Sequence, residues 1–493
     1  MIEGALAHVL FSALIYVLGA HFLFFYCREE DPILLPLLSF FFGSTILVVG
    51  VIILLVVGIP YTPWAFWVLV AALVAVPIAQ HFRRWRLLLR QRSALAGLAA
   101  VCTISSIFGF TDYSLFTHDS YAMVESGLAI NTAQHIALGS LYPLLIHGPF
   151  LQFLYSMSPF FGIDFFYGFI PIQFAIFAVT FCILVNRHLQ TSNFNRMISL
   201  VLALALTTLL ISTPIVMLHG HYIEPNLGYG IYFFIVLYCL WYPCASGKEF
   251  NMPMFILATF TCIMYRNESV IYISFFSPFL LAENLIPHHK RIRSLIYIFI
   301  AMLAWYALLY SFAYTINANL PSFDRILAIL NKKHIILLVS PSIAFMLIIA
   351  FINKHPSFPI KQNHLYIYAS AAIVITAFIS FNLATKKITT SLQALYNNYF
   401  FGGWGVTFTA ILTLFAISLL FKVYRPNKYT FYFLCYFAIL IILNYFREPY
   451  KYKIHDSASR MTLHIMPALF YHLVATRFPG SRAKEPAGMH REP

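Results

Sequence analysis

A short polar stretch, residues 117–121, follows a hydrophobic segment and places the carboxylate of Asp119 beside the imidazole of His118. A positioned carboxylate can take a proton from an acceptor hydroxyl, and a neighbouring histidine can tune its pKa. We therefore regard Asp119 as the first candidate catalytic residue, with His118 as its companion. Asp112 is the competing acidic candidate. A helix cap or a solvated loop charge is the alternative interpretation of either aspartate.

Basic residues that could hold a phosphate occur at three further places. Arg266 lies between two short apolar segments, and Arg460 precedes the last one, with His464 one helical turn later. Arginine binds phosphate through paired N–H donors, whereas snorkelling or contact with lipid headgroups is the alternative role. His147, in a stretch broken by glycine and proline, could meet a phosphate or a sugar hydroxyl, although a lone histidine is more often structural.

Two acidic residues accompany these cations. Glu224 follows two histidines in the pattern His219-x-His221-x-x-Glu224, and Glu268 follows Arg266 closely. Imidazole and carboxylate groups can share a divalent cation, but glycine and proline make this segment a loop and no fourth ligand is evident. We therefore predict no metal site and no cofactor, and keep a divalent cation as an alternative. Ordinary loop polarity and a second acidic site residue are the other interpretations of Glu224.

The composition identifies the solvent of the fold. The chain is 61% hydrophobic and 10% charged, with a mean hydropathy of +0.79, whereas soluble domains carry about 25% charged residues. Such a chain is expected to lie in lipid. The net charge of +14 is spread over short loops and forms no basic stripe, so nucleic acid is not a predicted partner. The seven cysteines contain no CxxC pair, which argues against a disulfide framework.

The apolar segments predict an all-α polytopic membrane protein with about 15 transmembrane helices. Residues 83–92 contain five arginines, which places this loop in the cytoplasm by the positive-inside rule. The next segment then carries Asp119 to the outer side. Residues 142–161 contain three prolines, and we interpret them as an interfacial or re-entrant helix. With that choice the candidate residues all fall on the outer side.

This topology divides the chain into three parts. Residues 1–92 form N-terminal accessory helices, residues 93–477 form the transmembrane core, and residues 478–493 form a short basic cytoplasmic tail. The core includes a large outer loop with juxtamembrane helices at residues 111–163. Counting the predicted spans back from the cytoplasmic loop at residues 83–92 places the N-terminus outside. The location expected for the whole chain is the bacterial inner membrane.

Four features, in this order, resemble the polytopic glycosyltransferases of the GT-C superfamily. They are Asp119 in the first large outer loop, Gly139-x-x-Tyr142-Pro143 before a helix with Gly148-Pro149, Arg266-x-Glu268 between two short spans, and Ser459-Arg460 leading into Leu463-His464-Ile465-Met466-Pro467. The resemblance covers roughly residues 93–477 and implies a GT-C-like fold.

The resemblance implies an enzyme that takes a sugar from a polyprenyl-phosphate donor and transfers it to a lipid, glycan or protein acceptor on the extracytoplasmic face. It implies Asp119 as the base, with Arg266 and Arg460 near the lipid phosphate. The family pattern often has a second acidic residue, and Ser120 stands in the adjacent position here. An O-antigen-type polymerase and a flippase or transporter of lipid-linked saccharide are the alternatives. Few charges fall in span centres and no repeat is evident, which favours the enzyme over a transporter.

Overall fold

The computed structural model describes most of the first 316 residues and parts of the rest. The described residues are 2–29, 31–82, 87–88, 90–110, 118–136, 148–192, 194–246, 250–266, 269, 280, 286–316, 392–393, 396–420, 430, 432–434, 436–437 and 457–477. The candidates Asp112, His147 and Glu268 lie outside them, as does the tail at 478–493.

The described residues are helical, and they contain no strand. The helices are α1 (Ile2–His21, continued by a π-helical turn at Phe22–Tyr26), α2 (Leu34–Val56), α3 (Pro63–Gln80), α4 (Arg92–Phe110), α5 (His118–Ala133), α6 (Phe150–Ser156), α7 (Phe169–Thr191), α8 (Arg196–Ile211), α9 (Pro214–His219), α10 (Pro225–Ser246), α11 (Met252–Tyr265), α12 (His288–Ile316), α13 (Gly405–Leu420), α14 (Ser457–Thr462) and α15 (Met466–Arg477).

Five helices in the described residues are long and apolar enough to cross a membrane, judged by length and composition: α1 with its π-helical turn, α2, α3, α4 and α7. The predicted all-helical class is thus confirmed for the described residues. The count of about 15 spans and the GT-C arrangement stay predictions. Helix α6 has seven residues, which is too short to cross a bilayer.

The outer surface of α3 illustrates what surrounds the bundle. Its 18 residues have a mean hydropathy of 1.8, yet only 17% of them are buried, and Trp64 is 78% exposed. A helix that is apolar on all sides and packs along only one of them is stable where lipid covers the remainder. The exposed face of α3 therefore supports a membrane location.

Helices α1 and α2 cross with their backbones in direct contact at two glycines. A Cβ atom on Gly19 would overlap the carbonyl oxygen of Ser39, and a Cβ on Gly43 would overlap that of Ile15. The contacts run in opposite order along the two helices, so the pair is antiparallel. Small residues at such crossings let helices approach closely where lipid supplies no hydrophobic driving force between them.

Polar side chains mark one end of the bundle, here called the Asp31 end. Asp31 follows α1 and pairs with Arg187 near the end of α7, with an Oδ2–Nη2 distance of 2.6 Å. Asn251 caps the start of α11 and donates from Nδ2 to the carbonyl oxygen of Cys27 at 2.9 Å. The last turns of α1 and α7 and the first turn of α11 therefore lie together.

The opposite end, here called the Glu224 end, contains the start of α1, the end of α4 and the start of α7. The backbone N–H of Gly168 donates to His8 Nε2 at 2.9 Å, and the Tyr167 hydroxyl donates to the carbonyl oxygen of Gly109 at 2.6 Å. Helix α11 starts at the Asp31 end, so Arg266, directly after it, lies at the Glu224 end. The chain between α4 and α7 therefore leaves from and returns to this end.

We predict that Gly43→Ala destabilises the protein far more than Gly50→Ala. The new methyl group at Gly43 would meet the backbone of α1, whereas at Gly50 it meets only the side-chain ends of Leu69 and Leu73, at 3.3 Å. Overpacking against a backbone that cannot move costs about 1–3 kcal/mol or more. Thermal unfolding of the two purified variants in detergent measures the difference, and equal unfolding temperatures would contradict the described crossing.

We predict that Asp31→Asn lowers stability by about 1–3 kcal/mol at neutral pH, because it leaves the half-buried Arg187 without its carboxylate. Burial alone would raise the pKa of Asp31, but the hydrogen bond from Arg187, with backbone N–H donors and the arginine charge, outweighs it and holds the pKa at about 2. The carboxylate's contribution is therefore complete above its ordinary pKa of 3.8 and is lost as the pH falls towards 2. The unfolding temperatures of wild type and Asp31→Asn should therefore converge as the pH falls from 3.8 towards 2. Glu3→Gln, at an exposed position, is the control that should change neither the stability at neutral pH nor its dependence on pH.

Candidate functional site

Glu224 is the centre of a buried polar cluster at the Glu224 end. The residue is 3% exposed. Its Oε2 accepts a hydrogen bond from Asn226 Nδ2 at 3.0 Å and one from Arg460 Nη1 at 3.5 Å, and His219 Nδ1 lies 3.4 Å away. A charged carboxylate is stable at such depth only when donors and cations surround it. We call Glu224, Asn226, Arg266, Arg460, His464 and His219 the Glu224 cluster.

The chain around Glu224 reverses direction within a few residues. Helix α9 has six residues, begins at Pro214 and ends at His219. Gly220 lies against the ring of Phe174 with no room for a side chain. Pro225 is then the first residue of α10, a position where its fixed φ favours a helix start. His219, Glu224 and Asn226 therefore meet at one end of the bundle.

Asn226 connects Arg266 and His464 to Glu224, and it is not among the candidates selected from the sequence. Its Oδ1 accepts from Arg266 Nη1 at 3.3 Å and from His464 Nε2 at 3.2 Å, while its Nδ2 donates to Glu224. The side chain is 2% exposed. The signal that could have found it is a short polar residue directly after the proline that starts an apolar helix.

The hydrogen bonds assign one tautomer to His464. Because the Asn226 Oδ1 atom only accepts, His464 Nε2 carries the proton. His464 Nδ1 lies 3.2 Å from the Tyr436 hydroxyl, which donates to the carbonyl oxygen of Met461 at 3.0 Å. Burial, followed by the charges of Arg266 and the other cations nearby, holds the pKa of His464 well below its usual range. The imidazole is therefore neutral at physiological pH and completes the cluster as a donor.

The prediction that Arg460 and His464 share one continuous helical face is wrong. Helix α14 ends at Thr462, a turn with i to i+3 hydrogen bonds follows, and α15 begins at Met466. The physical reason is Pro467, whose ring would clash with the carbonyl of Leu463 in a continuous helix. The two side chains still meet, because Arg460 contacts Glu224 and His464 contacts Asn226.

Two further contacts hold this turn in place. The Tyr399 hydroxyl lies 2.6 Å from Thr462 Oγ1. The carbonyl oxygen of Leu463 lies against Gly230 of α10, where a Cβ atom would overlap it. The turn thus packs on α10 one helical turn beyond Asn226, which fixes the distance between the two parts of the cluster.

Arg266 is positioned by the end of α11. Its backbone is extended, with φ −146° and ψ 122°, so the chain leaves the helix here. Tyr265, directly before it, stacks on Phe150 with ring centroids 4.2 Å apart and accepts a hydrogen bond from Gln173 Nε2 at 3.0 Å. Gly148, with φ +82°, approaches the carbonyl of Met264 closely. The start of α6 therefore lies beside Arg266.

Helix α5, which carries the predicted base, runs in the same direction as α6. Asn131 Nδ2 donates to the carbonyl oxygen of Ser156 at 2.8 Å. The Ser156 hydroxyl donates to the Tyr61 hydroxyl at 3.2 Å, and the backbone N–H of Tyr61 donates to the carbonyl oxygen of Gln134 at 3.0 Å. These contacts join the two C-terminal ends, so the first turn of α5 points towards the end where α6 meets α11.

The first turn of α5 contains His118 and Asp119, whose side chains lie outside the described part of the structure. The roles of both residues stay predictions. The divalent cation also stays an alternative that is not tested. Among the described residues, no group of three or more His, Cys, Asp or Glu side chains is placed to hold a metal ion.

The arrangement brings together Glu224, Arg266, Arg460 and His464 from the predicted set. Two guanidinium groups around one carboxylate could bind a further anion. The Arg460 side chain is 24% exposed, whereas Glu224 is buried. A guanidinium has five N–H donors, which is enough to hold Glu224 and a phosphate together.

We predict that Asn226→Ala lowers the free energy of unfolding by about 1–3 kcal/mol, because it removes the shared acceptor of Arg266 and His464 and a donor to Glu224. Asn186→Ala is the matched control, since the Asn186 side chain makes an exposed contact with Gln190 on the same helix. Thermal unfolding in detergent measures both. Equal losses from the two substitutions would contradict the bridging role of Asn226.

Comparison with known proteins returns no match. No protein-family model matches the sequence, and neither a curated protein nor a solved structure matches it.

Proposed function

We propose that this protein is an integral membrane glycosyltransferase. In this proposal it transfers a sugar from a polyprenyl-phosphate donor to a lipid, glycan or protein acceptor at the extracytoplasmic face. The observation that carries the proposal is the convergence of Arg266 and Arg460, 194 positions apart in the sequence (460 − 266), on the buried Glu224–Asn226 pair. Two arginines meeting at the end of an apolar bundle suit a ligand whose phosphate lies at the membrane boundary and whose tail lies in lipid.

The donor phosphate would bind at Arg460 and Arg266. Guanidinium groups hold phosphate oxygens through charge-assisted hydrogen bonds, and they stabilise the charge that grows on the phosphate as it leaves. The partial exposure of Arg460 supports access from outside the cluster. The neutral His464 donates from Nε2 to Asn226 Oδ1, which helps to keep the Asn226 side-chain amide oriented towards Arg266.

An apolar groove suits the prenyl tail. It has a volume of about 680 Å³ and is lined by Phe400, Phe401, Val406, Thr409 and Thr413, among others, along α13. Phe400 of the groove follows Tyr399, whose hydroxyl bonds to Thr462, two residues from Arg460. A lipid whose phosphate lies at Arg460 would therefore have apolar surface close by.

In the proposed reaction, Asp119 takes the proton of an acceptor hydroxyl. The hydroxyl oxygen forms a bond to the anomeric carbon while the bond from that carbon to the phosphate oxygen breaks, and the bonding electron pair leaves with the polyprenyl phosphate. Attack from the opposite face inverts the anomeric configuration. The direction of α5, whose first turn points towards the Arg266 side of the bundle, supports this role for Asp119.

We predict that Asp119→Asn lowers the rate of sugar transfer by about 10²–10⁴-fold, the usual contribution of a general base. Purified protein in lipid nanodiscs is supplied with a labelled polyprenyl-phosphate hexose and an acceptor extract, and labelled product is measured. Glu125→Gln is the matched control, because it removes a carboxylate from an exposed position of the same helix and should keep wild-type activity. Full transfer by Asp119→Asn would contradict the mechanism.

The same assay separates the alternatives. A ladder of products that grows by repeats would favour an O-antigen-type polymerase. Movement of lipid-linked saccharide across proteoliposomes without transfer of sugar would favour a flippase or transporter. One added sugar per acceptor supports the proposed glycosyltransferase.

A further inference from the structure

Glu224 is placed where it would oppose the ligand that the arginines attract. Its Oε2 lies 3.5 Å from the Nη1 atom of Arg460, so a phosphate bound to the same guanidinium lies close to this carboxylate. Asn226 donates to the same oxygen, which keeps the carboxylate in place. A bound phosphate is therefore attracted by the arginines and repelled by Glu224 simultaneously.

We infer that Glu224 selects donors by charge: its carboxylate weakens the binding of a sugar linked to the lipid through a diphosphate more than the binding of a sugar linked through one phosphate. This inference rests on the proposed function and adds to it a residue that determines the choice of donor. A phosphate diester carries one negative charge, and the corresponding diphosphate carries two.

The physical basis is the scaling of electrostatic energy with charge. Attraction to the arginines and repulsion from Glu224 both grow with each additional charge on the ligand. With the carboxylate present, the second negative charge of a diphosphate adds less binding energy, because its attraction to the guanidinium groups is partly cancelled by its repulsion from Glu224. Little solvent reaches the Glu224 carboxylate, which is 3% exposed, so water and salt screen this repulsion weakly.

A purely structural role for Glu224 makes a different prediction. If the carboxylate only anchored Arg460 and Asn226, its removal would weaken the binding of both donors to the same degree. A charge selector instead changes the ratio of the two dissociation constants. The ratio, rather than either constant alone, is therefore the informative measurement.

The experiment measures the dissociation constants of a polyprenyl-phosphate hexose and a polyprenyl-diphosphate hexose of equal chain length. The full chain is used in nanodiscs at pH 8, where free imidazoles are uncharged. The ratio of the two constants in wild type is the reference value. Glu224→Gln should shift the ratio of the two constants about tenfold towards the diphosphate donor, and Arg460→Gln should shift it in the opposite direction.

Glu125→Gln, which also removes one negative charge but at an exposed position of α5, should leave the ratio unchanged. Arg460→Gln alters a partly exposed side chain and keeps the test valid if Glu224→Gln fails to fold. Phosphatidylglycerol, a phosphate diester of ordinary lipid, is added as a competitor. Displacement of the donor by equimolar phosphatidylglycerol would overturn the inference, because the site would then be a general headgroup site.

The outcomes separate the two proposals. Unchanged ratios in folded Glu224→Gln and Arg460→Gln would overturn charge selection, while donor binding by wild type would still support the glycosyltransferase. Failure of folded wild type to bind either donor would overturn the proposed function itself. Opposite shifts in the two variants would support both.

Discussion

The burial of one carboxylate is the constraint on which the Glu224 end of the structure depends. Glu224 is removed from water in a chain with few charged residues, so donors and cations must be brought to it from distant parts of the sequence. Asn226, Arg460 and His219 meet this requirement directly, and Arg266 and His464 do so through Asn226. The ends of α9, α11 and α14 and the start of α10 are thereby held together by polar contacts, in a bundle whose other contacts are largely apolar.

The apolar bundle and the polar cluster have complementary roles. Close helix packing, as at Gly19 and Gly43, fixes the directions of the helices but distinguishes poorly between ligands. The cluster adds directional hydrogen bonds at the end where the chain leaves the apolar layer. Precise placement at the membrane boundary is what a reaction between a lipid-anchored donor and a polar acceptor would require.

Much of the coarse structure could be predicted from the sequence. The helical class follows from the apolar segments, and Arg266, Arg460, Glu224 and His464 could be selected because charged residues are rare in this chain and lie at segment ends. The sequence did not indicate Asn226, since a neutral amide is not conspicuous and its importance comes from three partners that only the fold brings near. The break between Arg460 and His464 was predictable in principle from Pro467, but a helical spacing of four residues was the simpler pattern. The spatial relation of Asp119 to the cluster stays a prediction.

The position of Arg460 and His464 in the chain affects the order in which the cluster can assemble. Glu224, Asn226 and Arg266 are synthesised together, and the antiparallel contact of α1 with α2 forms from segments close in sequence. Domains and helices that emerge first from the ribosome can fold first. The partners of Glu224 and Asn226 on α14 and the turn after it are synthesised more than 200 residues later, so the carboxylate lacks the Arg460 guanidinium until then. A nascent chain that stops short of residue 457 would therefore hold Glu224 and Asn226 without Arg460 and His464, and the α14–α15 turn completes the polar contacts of the cluster.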